Sequence, residues 1–310
     1  MESAIRIEGL VKRYRDGDVV AVDGLDLEVR QGECFGLLGP NGAGKTTTVE
    51  IMEGLLDPTA GSVQVLGLTW AEHAGELRSR IGVTLQETKL FEKLTVEETL
   101  RLFRSFYDPH RALDVEALLA ELQLGEKRSS WVQKLSGGQR QRLAVALGLI
   151  GDPEVLFLDE PTTGLDPQSR RALWDTVHAL RARGKTVLLT THYMDEAERL
   201  CDRVAVVDHG KLIAAGTPAE LIDGIGGHQL VELATVPALA PEVFRDVRGV
   251  RASRAQGDGL ALSIDEPHVA LPALVARIGE LGARATRLVS RTATLDDVFL
   301  SLTGRTLRED

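Results

Sequence analysis

The chain has 310 residues, of which 43% are hydrophobic, 26% are charged and only 4% are aromatic, and its formal net charge is -10. The length allows one large and one small domain or two medium domains, and the composition is typical of a globular protein whose core is filled mainly by aliphatic side chains. The acidic balance argues against nonspecific binding to nucleic-acid phosphates, which requires an excess of Lys and Arg, so we expect no nucleic-acid partner.

The two cysteines, Cys34 and Cys201, lie far apart and outside any CxxC or Cys/His cluster. We interpret them as reduced thiols, which predicts a reducing compartment, the cytoplasm. No signal peptide is visible, and the longest apolar run, from Leu143 to Gly151, is shorter than the roughly 18 residues that cross a bilayer. We therefore expect any role at a membrane to depend on a partner.

The first predicted elements are strands. Residues 5–10 and 25–29 alternate apolar with polar side chains, which predicts half-buried antiparallel strands. Later runs are continuously apolar, as is typical of strands covered on both faces. These runs are residues 34–38, 155–158, 187–189 and 204–207. Helical patterns at 95–107, 137–150 and 167–183 lie between them. Buried strands that alternate with helices predict an α/β core with a largely parallel sheet.

The rest of the chain predicts an insertion and a small second domain. Residues 95–124 carry apolar side chains three to four positions apart, so we expect them to be wholly helical and to lie beside the sheet. The glycines at 224–227 predict a hinge or linker. Beyond it, the patterns predict a small α+β unit. Its expected strands are 230–233, 260–264 and 284–289, and its expected helices are 269–281 and 295–303.

The strongest local signal fits the pattern G-x-x-x-x-G-K-[ST] of a P-loop. It is the run Gly39-Pro40-Asn41-Gly42-Ala43-Gly44-Lys45-Thr46-Thr47. Its glycines let backbone N–H groups turn toward phosphate oxygens, and the helix that follows adds its positive end. Lys45 would supply charge to the β- and γ-phosphates, and the Thr46 hydroxyl would ligate Mg²⁺. A buried strand before the loop and a helix after it disfavour an ordinary glycine-rich turn.

Two acidic residues follow the second continuously apolar run. Asp159 and Glu160 come directly after residues 155–158, and ligands of open α/β sheets bind beyond the carboxyl ends of the strands. Asp159 would hold Mg²⁺, and Glu160 would orient and deprotonate an attacking water. The alternative is a solvated turn, which the P-loop makes the weaker interpretation.

A second potential anion site begins about ninety residues after the first. Leu135-Ser136-Gly137-Gly138-Gln139 precedes a helical pattern, so Ser136 can cap that helix. Gly137 and Gly138 would expose backbone N–H groups at its positive end. A plain helix cap is the alternative for this segment taken alone.

Together these motifs resemble the ATP-binding subunits of ABC transporters over about residues 4–220, and Leu135–Gln139 matches the signature motif of that family. The resemblance implies an ATPase that uses ATP and Mg²⁺. It implies an α/β fold, a P-loop NTPase core with an N-terminal antiparallel β-subdomain and a helical insertion at about 87–150. The expected ATP-binding domain is residues 4–224, and the small C-terminal α+β domain, regulatory or dimerising, is residues 229–304.

The resemblance also implies roles for single residues. Tyr14 corresponds to the aromatic that stacks on adenine, and Gln86 to the glutamine that senses Mg²⁺ and water and faces the membrane subunit. His192 corresponds to the switch histidine near the γ-phosphate, which with Glu160 and Gln86 completes the expected catalytic set. Asp166 lies in the segment Leu165-Asp166-Pro167, which corresponds to the family's loop that crosses the dimer interface. Without the resemblance, Tyr14 would be interpreted as a surface or strand tyrosine, and His192 would be interpreted as a structural histidine.

In that family the P-loop of one subunit faces the signature motif of another, so the resemblance implies a homodimer with ATP between its subunits. It also implies an integral membrane permease as a separate chain, and a position at the cytoplasmic face of the membrane. Residues 294–304 resemble the tail of daunorubicin-resistance-type subunits, which implies export of a drug or antibiotic; a simple amphipathic closing helix is the alternative.

Other functions remain open. Within the family, the cargo could be sodium, a lipid or a polysaccharide. An ABC ATPase that acts on ribosomes or DNA is the rival from another class, but such chains usually carry two ATP-binding units or a long coiled coil. A P-loop kinase is a third possibility, and it leaves the signature motif unexplained.

Overall fold

The computed structural model describes residues 2–14, 19–84, 90–225 and 229–303. These residues divide into two compact units, of which the first ends at Ala215 and the second begins at Gly216. The glycines expected to form a linker therefore begin inside the second unit, and Gly226 and Gly227 lie outside the described residues. The assignment of separate functions to the two domains stays a prediction.

The first unit alternates strands and helices along the chain. In order, it contains β1 (Ser3–Arg13), β2 (Val20–Arg30), β3 (Cys34–Leu38), α1 (Lys45–Met52), β4 (Ala60–Val65), α2 (Trp70–Arg80), β5 (Ile81–Thr84), α3 (Val96–Arg104), α4 (Val115–Glu121), α5 (Gly137–Leu149), β6 (Val155–Asp159), α6 (Pro167–Ala182), β7 (Thr186–Thr191), α7 (Met194–Leu200), β8 (Arg203–Asp208) and β9 (Lys211–Gly216). The second unit contains α8 (Pro218–Gly224), β10 (Gln229–Val236), β11 (Val250–Gln256), β12 (Gly259–Ile264), α9 (Pro267–Glu280), β13 (Arg284–Thr292) and α10 (Leu295–Thr303).

The N-terminal subdomain is an antiparallel sheet in the order β2-β1-β4. Ile5 pairs with Val29 on one side and with Val65 on the other, and all three side chains are fully buried. Alternation along β1 and β2 thus places one face of this sheet in the core, because successive side chains of a strand point to opposite faces. The expected antiparallel β-subdomain is confirmed.

The central sheet has the order β5-β6-β7-β3-β8-β9, and the pairs from β5 to β8 are parallel. Every residue of β3, β6 and β7 is buried, which accounts for the continuously apolar run that each strand contains. Parallel strands end at the same edge of a sheet. The residues after β3, β6 and β7 are therefore brought together there, and the expected α/β core is confirmed.

The helical insertion differs from its sequence prediction. Residues 95–124 form not one helical stretch but α3 and α4, with a break between them. Pro109 lies in the break, and proline disfavours helical geometry in the residue before it. Asp114 then starts α4, because its Oδ2 accepts hydrogen bonds from the backbone N–H groups of Glu116 (3.0 Å) and Ala117 (3.2 Å). The apolar spacing continued through the break and hid it.

The second unit is an antiparallel sheet in the order β11-β12-β10-β13, with a core that includes Phe244, Leu262 and Leu274. The sequence analysis missed β11, an edge strand whose two arginines obscure its pattern. It also missed β4, α2, β5, α7, β9 and α8. The missed strands and helices are short or polar, and the periodic hydrophobic signal of such elements is weak.

The tail motif has a structural explanation within this unit. Buried Asp297 accepts hydrogen bonds from Arg291 Nη1 (2.6 Å) and Nη2 (2.8 Å) and from the Thr294 backbone N–H (3.0 Å). Leu295, Val298 and Phe299 are each 1% exposed. These contacts fix α10 against its own unit, so the motif is explained as an amphipathic closing helix.

None of the helices in the described residues is long and apolar enough to span a bilayer.

Candidate active site

The P-loop connects the end of β3 to the start of α1, as predicted. Gly39 and Gly44 are both required by close backbone approaches: a Cβ on Gly39 would lie 2.3 Å from Val207 O, and one on Gly44 would lie 2.3 Å from Ala21 O. Gly44 also has a φ of +98°, which favours glycine. Asn41, Gly42 and Thr46 are exposed in this segment, whereas Gly39, Pro40, Ala43 and Lys45 are buried. The loop is therefore shaped by its neighbours and leaves its tip open to a ligand.

Lys45 is folded back onto the loop. Its Nζ donates to Gly39 O (2.7 Å) and Pro40 O (3.1 Å), and the residue is only 5% exposed. Burial lowers the pKa of the ammonium group, and the nearby carboxylates of Glu160 and Asp159 oppose that shift. The structure therefore brings the P-loop lysine near both acidic residues that follow β6. A phosphate group could replace the two carbonyl oxygens as its acceptor.

Tyr14 lies beside the P-loop helix. Its hydroxyl is 3.2 Å from Thr47 Oγ1, and the residue is 42% exposed. An aromatic side chain in this position is held next to the loop but keeps much of its surface available. This placement suits the adenine-stacking role that the resemblance implies.

Asp159 is held at the end of β6 by a residue that the sequence analysis did not assign. Thr190, which pairs with Asp159 across the sheet, donates its hydroxyl to Asp159 Oδ1. The same Thr190 oxygen accepts from the backbone N–H of Glu160 at 2.9 Å. Burial raises the pKa of Asp159, and the Thr190 hydrogen bond opposes this rise. The continuously apolar run of β7, residues 187–189, was visible in the sequence. Nothing in the sequence showed that Thr190, which follows this run, contacts Asp159.

Glu160 and His192 face each other. Glu160 Oε2 lies 3.3 Å from His192 Nδ1 and accepts a hydrogen bond from Thr163 Oγ1 at 3.1 Å. Glu160 also has a φ of +44°, an uncommon value for a residue with a side chain, which costs about 1–3 kcal/mol. Strain of this kind persists only where the surrounding contacts hold it. Here it directs a nearly buried carboxylate toward the same sheet edge as Lys45.

A further buried carboxyl was missed by the sequence analysis. Glu53, which follows α1, is 4% exposed, and its Oε1 has no hydrogen-bond partner among the described residues. Burial raises its pKa to about 8, with smaller contributions from Asp159 and Glu50. Glu53 is therefore mostly protonated at neutral pH. A lone glutamate in a helical segment gave no sequence signal for this state.

The signature segment starts α5. Ser136 is the N-cap: its Oγ accepts from the Gln139 backbone N–H (3.3 Å), while Gln139 Oε1 accepts from the Ser136 backbone N–H (3.1 Å). Leu135 is buried, but Ser136 and Gly137 are exposed. The plain-cap interpretation is thus correct for this conformation. The exposed end of the helix nevertheless remains accessible to an anion.

Gly138 has a packing role that the sequence did not reveal. It is buried, and a Cβ on it would lie 2.2 Å from Ser169 Oγ and 2.6 Å from Ser169 Cβ. Ser169 in turn donates to Asp166 Oδ2 at 2.6 Å, and Asp166 Oδ1 accepts from the backbone N–H groups of Gln168 and Ser169, both at 3.0 Å. These hydrogen bonds lower the pKa of Asp166, and the bond from the Ser169 side chain has the largest effect. The structure therefore joins Asp166 to the signature segment.

Two groups of site residues result. One contains the P-loop, Tyr14, Asp159, Glu160 and His192, and the other contains the signature segment and Asp166. Gln86, which was assigned to catalysis and to the metal, lies outside the described residues.

Comparison with known proteins identifies the family. The sequence profile of the ABC transporter family matches residues 22–163. The Nod factor export ATP-binding protein I of Ralstonia nicotianae is 44% identical, over 98% of this chain and 95% of that protein. The chain belongs to the ATP-binding subunits of ABC transporters. Because the members of this family are ATPases that drive transport, the chain binds ATP and hydrolyses it.

Solved structures of ATP-binding cassettes share the fold of the first unit. The structure of an ATP-binding subunit of an ABC transporter has a TM-score of 0.65 and 29% identity, covering 72% of this chain and 93% of that one. A dimeric ATP-binding cassette in a post-hydrolysis state, bound to ADP and Pi, has a TM-score of 0.62 and 26% identity. It covers 69% of this chain and 98% of that one. The P-loop NTPase fold class is confirmed.

Proposed function

We propose that this ATPase powers export through a separate membrane subunit, using two ATP sites that are shared between two copies of the chain. The catalytic part is supported by the 3.3 Å approach of His192 Nδ1 to Glu160 Oε2 beside the P-loop lysine. The export direction is supported by the full-length similarity to a Nod factor export ATP-binding protein.

In this proposal each residue at the sheet edge has one task. Glu160 orients the attacking water and takes its proton, and His192 holds the Glu160 carboxylate and contacts the γ-phosphate. Lys45 leaves the two loop carbonyls to neutralise phosphate charge. Tyr14 stacks on the adenine.

Mg²⁺ would supply charge neutralisation between the phosphates. The donors suit it, because Mg²⁺ prefers oxygen ligands and Asp159 is a buried carboxylate at the mouth of the P-loop. The exposed Thr46 hydroxyl and Gln86 would complete the protein's contribution. Thr190 would hold the Asp159 carboxylate in place through its hydroxyl.

The signature segment is proposed to act on the partner's ATP. Leu135–Gln139 and Asp166 form their own group, and Ser136 and Gly137 face solvent. An exposed helix N-terminus with small residues suits a phosphate delivered by a second molecule. A dimeric cassette is among the similar structures, which supports a homodimer.

The membrane partner is proposed to be a separate integral membrane permease, with this chain at the cytoplasmic face of the membrane. The helical insertion exposes Phe91 (59%), Phe106 (71%) and Trp131 (47%). Large exposed aromatics of this kind suit a protein contact better than solvent. The insertion and Gln86 would pass the closing motion of the dimer to that partner.

For the cargo, we propose first a small molecule of the drug or antibiotic type, following the likeness of the tail to daunorubicin-resistance-type subunits. Cargo of the Nod factor type is the second candidate, because the similar Ralstonia protein bears that name and aligns over nearly the whole chain. Export of sodium, a lipid or a polysaccharide is a less supported alternative.

The catalytic proposal is tested with Glu160→Gln. We expect this variant to bind ATP as the wild type does but to lose at least about 100-fold in kcat, since it removes a general base. Glu126→Gln, an exposed charge on the insertion, is the control and should keep wild-type turnover. Normal hydrolysis by Glu160→Gln would show that the base has been assigned wrongly.

The export proposal is tested by co-expressing the chain with its membrane partner and measuring efflux of labelled candidate cargo from loaded cells or vesicles. Efflux should require ATP and should stop with Glu160→Gln. Uptake in place of efflux, or transport that continues with the inactive variant, would contradict it.

A further inference from the structure

Glu196 is a completely buried carboxylate that none of the assigned roles uses. It lies in α7 and is 0% exposed. Its Oε2 accepts a hydrogen bond from Thr162 Oγ1 (3.1 Å), and its Oε1 accepts one from Trp174 Nε1 (3.1 Å). Burial raises its pKa, while hydrogen bonds from Thr191, Trp174 and Thr162 oppose the rise. A carboxyl group this deeply buried is costly unless its oxygens are satisfied, so its donors define what it does.

Those donors lie next to the proposed catalytic pair. Thr162 is two residues after Glu160, and Thr191 directly precedes His192. The Thr191 oxygen also accepts from the Tyr193 backbone N–H at 3.0 Å, which fixes the backbone on the far side of His192. Glu196 itself lies in α7, four residues after His192, and its hydrogen bond with Thr162 therefore ties together the two chain segments from which Glu160 and His192 project.

A second contact runs between α6 and the histidine segment. The Arg170 guanidinium lies 4.5 Å over the Tyr193 ring, and that ring is 4.1 Å from the His192 ring. Trp174, the third donor to Glu196, is on the same helix as Arg170. Helix α6 begins after Asp166, so the Glu196 cluster also reaches the helix whose start lies against the signature segment.

We propose that Glu196 is a positioning residue for ATP hydrolysis, which holds the Glu160 segment and the His192 segment at a fixed separation through its hydrogen bond with Thr162 and its own place in α7, directly after the His192 segment. The inference rests on the proposed catalytic roles of Glu160 and His192. Because Glu196 is 0% exposed, it would not contact ATP or the attacking water itself. Its effect is on the geometry of the pair, and therefore on the rate of the chemical step rather than on nucleotide binding.

The sharpest test removes one hydroxyl. Thr162→Val keeps the shape of the side chain but removes the donor to Glu196. Thr176→Val is the matched control, since Thr176 is also buried and its hydroxyl donates to Ala172 O of its own helix at 3.1 Å. We expect Thr162→Val to lower kcat at saturating ATP at least about fivefold with KM within about twofold, and Thr176→Val to change neither beyond about twofold.

A double-mutant cycle separates positioning from a general loss of stability. Glu196→Leu removes both carboxylate oxygens and should lower kcat at least as much as Thr162→Val. The double variant should be no slower than Glu196→Leu, because the contact with Thr162 is already lost in that single variant. The two single variants and the double variant are all assayed about 15 °C or more below their thermal unfolding midpoints, so that the folded fraction of each stays near one.

The outcomes distinguish this inference from the proposed function. If Glu160→Gln stops hydrolysis but Thr162→Val hydrolyses ATP like Thr176→Val, the positioning role is wrong and the assigned base stands. Multiplicative effects in the double variant, or a rise in KM with unchanged kcat, would also overturn the positioning role. If Glu160→Gln hydrolyses ATP normally, the failure belongs to the proposed catalytic pair.

Discussion

The two glycines of the signature segment should respond oppositely to alanine. A Cβ on Gly138 would lie 2.6 Å from Ser169 Cβ, whereas a Cβ on Gly137 would meet nothing within 4 Å. Rotation of the Ser169 side chain moves its hydroxyl but not its Cβ. Gly138→Ala therefore forces α5 and α6 apart by about 1 Å, given that ordinary carbon contacts are about 3.5–4 Å. Gly137→Ala requires no movement.

The magnitudes follow from this contact. Overpacking of a closely packed site costs about 1–3 kcal/mol, and the better helix propensity of Ala returns up to about 1 kcal/mol. We expect the free energy of unfolding to fall by about 1–2 kcal/mol for Gly138→Ala. For Gly137→Ala we expect no change or a gain of up to about 1 kcal/mol.

Tryptophan fluorescence measures this selectively, because all three tryptophans, Trp70, Trp131 and Trp174, are in the first unit. In urea titrations, the midpoint of Gly138→Ala should be lower than the wild-type midpoint. The midpoint of Gly137→Ala should equal or exceed it. Ser169→Gly should partly restore Gly138→Ala, since it removes both crowding atoms. Equal midpoints for the two alanine variants would refute the packing argument.

Two further predictions concern buried carboxyl groups. Glu53 holds its proton to about pH 8 when folded but releases it near pH 4.5 when unfolded, so stability falls as pH rises through this window. Glu53→Gln should remove that fall and unfold at higher urea at pH 8 than the wild type; an unchanged pH profile would contradict this. Burial raises the pKa of Asp297, but the hydrogen bonds from Arg291 and Thr294 lower it by more, so the pKa in the folded protein lies below its usual value. The stabilisation from these contacts is therefore present above about pH 4 and is lost as the pH falls below that value. Asp297→Asn should increase hydrogen exchange in α10 at pH 7 at least about tenfold, and wild-type protection would contradict the anchoring role.

The sequence predicted the parts of this molecule that depend on local patterns. The buried strands β3, β6 and β7 can be read from the sequence because both of their faces are covered and each contains a continuously apolar run. The P-loop can be read from the sequence because its residues form one short contiguous pattern, although the close approaches that require Gly39 and Gly44 come from the distant residues Val207 and Ala21. Asp159 and Glu160 follow from their position at the end of such a strand.

Contacts between distant segments could not be predicted in this way. Gly138 is buried because of Ser169, thirty-one residues later, and Glu196 is satisfied by donors from three other segments. The partner of Thr190 depends on strand order, which the local pattern does not encode. Similarly, the apolar spacing of residues 95–124 did not show the break around Pro109, after which Asp114 caps the start of α4.

The central claim is that each ATP site combines the P-loop of one chain with the signature segment of another. It is tested most directly by mixing two inactive variants. Lys45→Ala disables the P-loop, and Ser136→Arg blocks the signature segment. In a mixed dimer, one site is doubly damaged and the other is intact.

If the sites are shared, equal amounts of the two variants, unfolded and refolded together, should recover about one quarter of the wild-type ATPase rate, because half the dimers are mixed and each holds one intact site. The variants refolded separately should stay inactive. A mixture that remains inactive although mixed dimers form with ATP would contradict shared sites, and so would a Ser136→Arg variant that hydrolyses ATP at the wild-type rate alone.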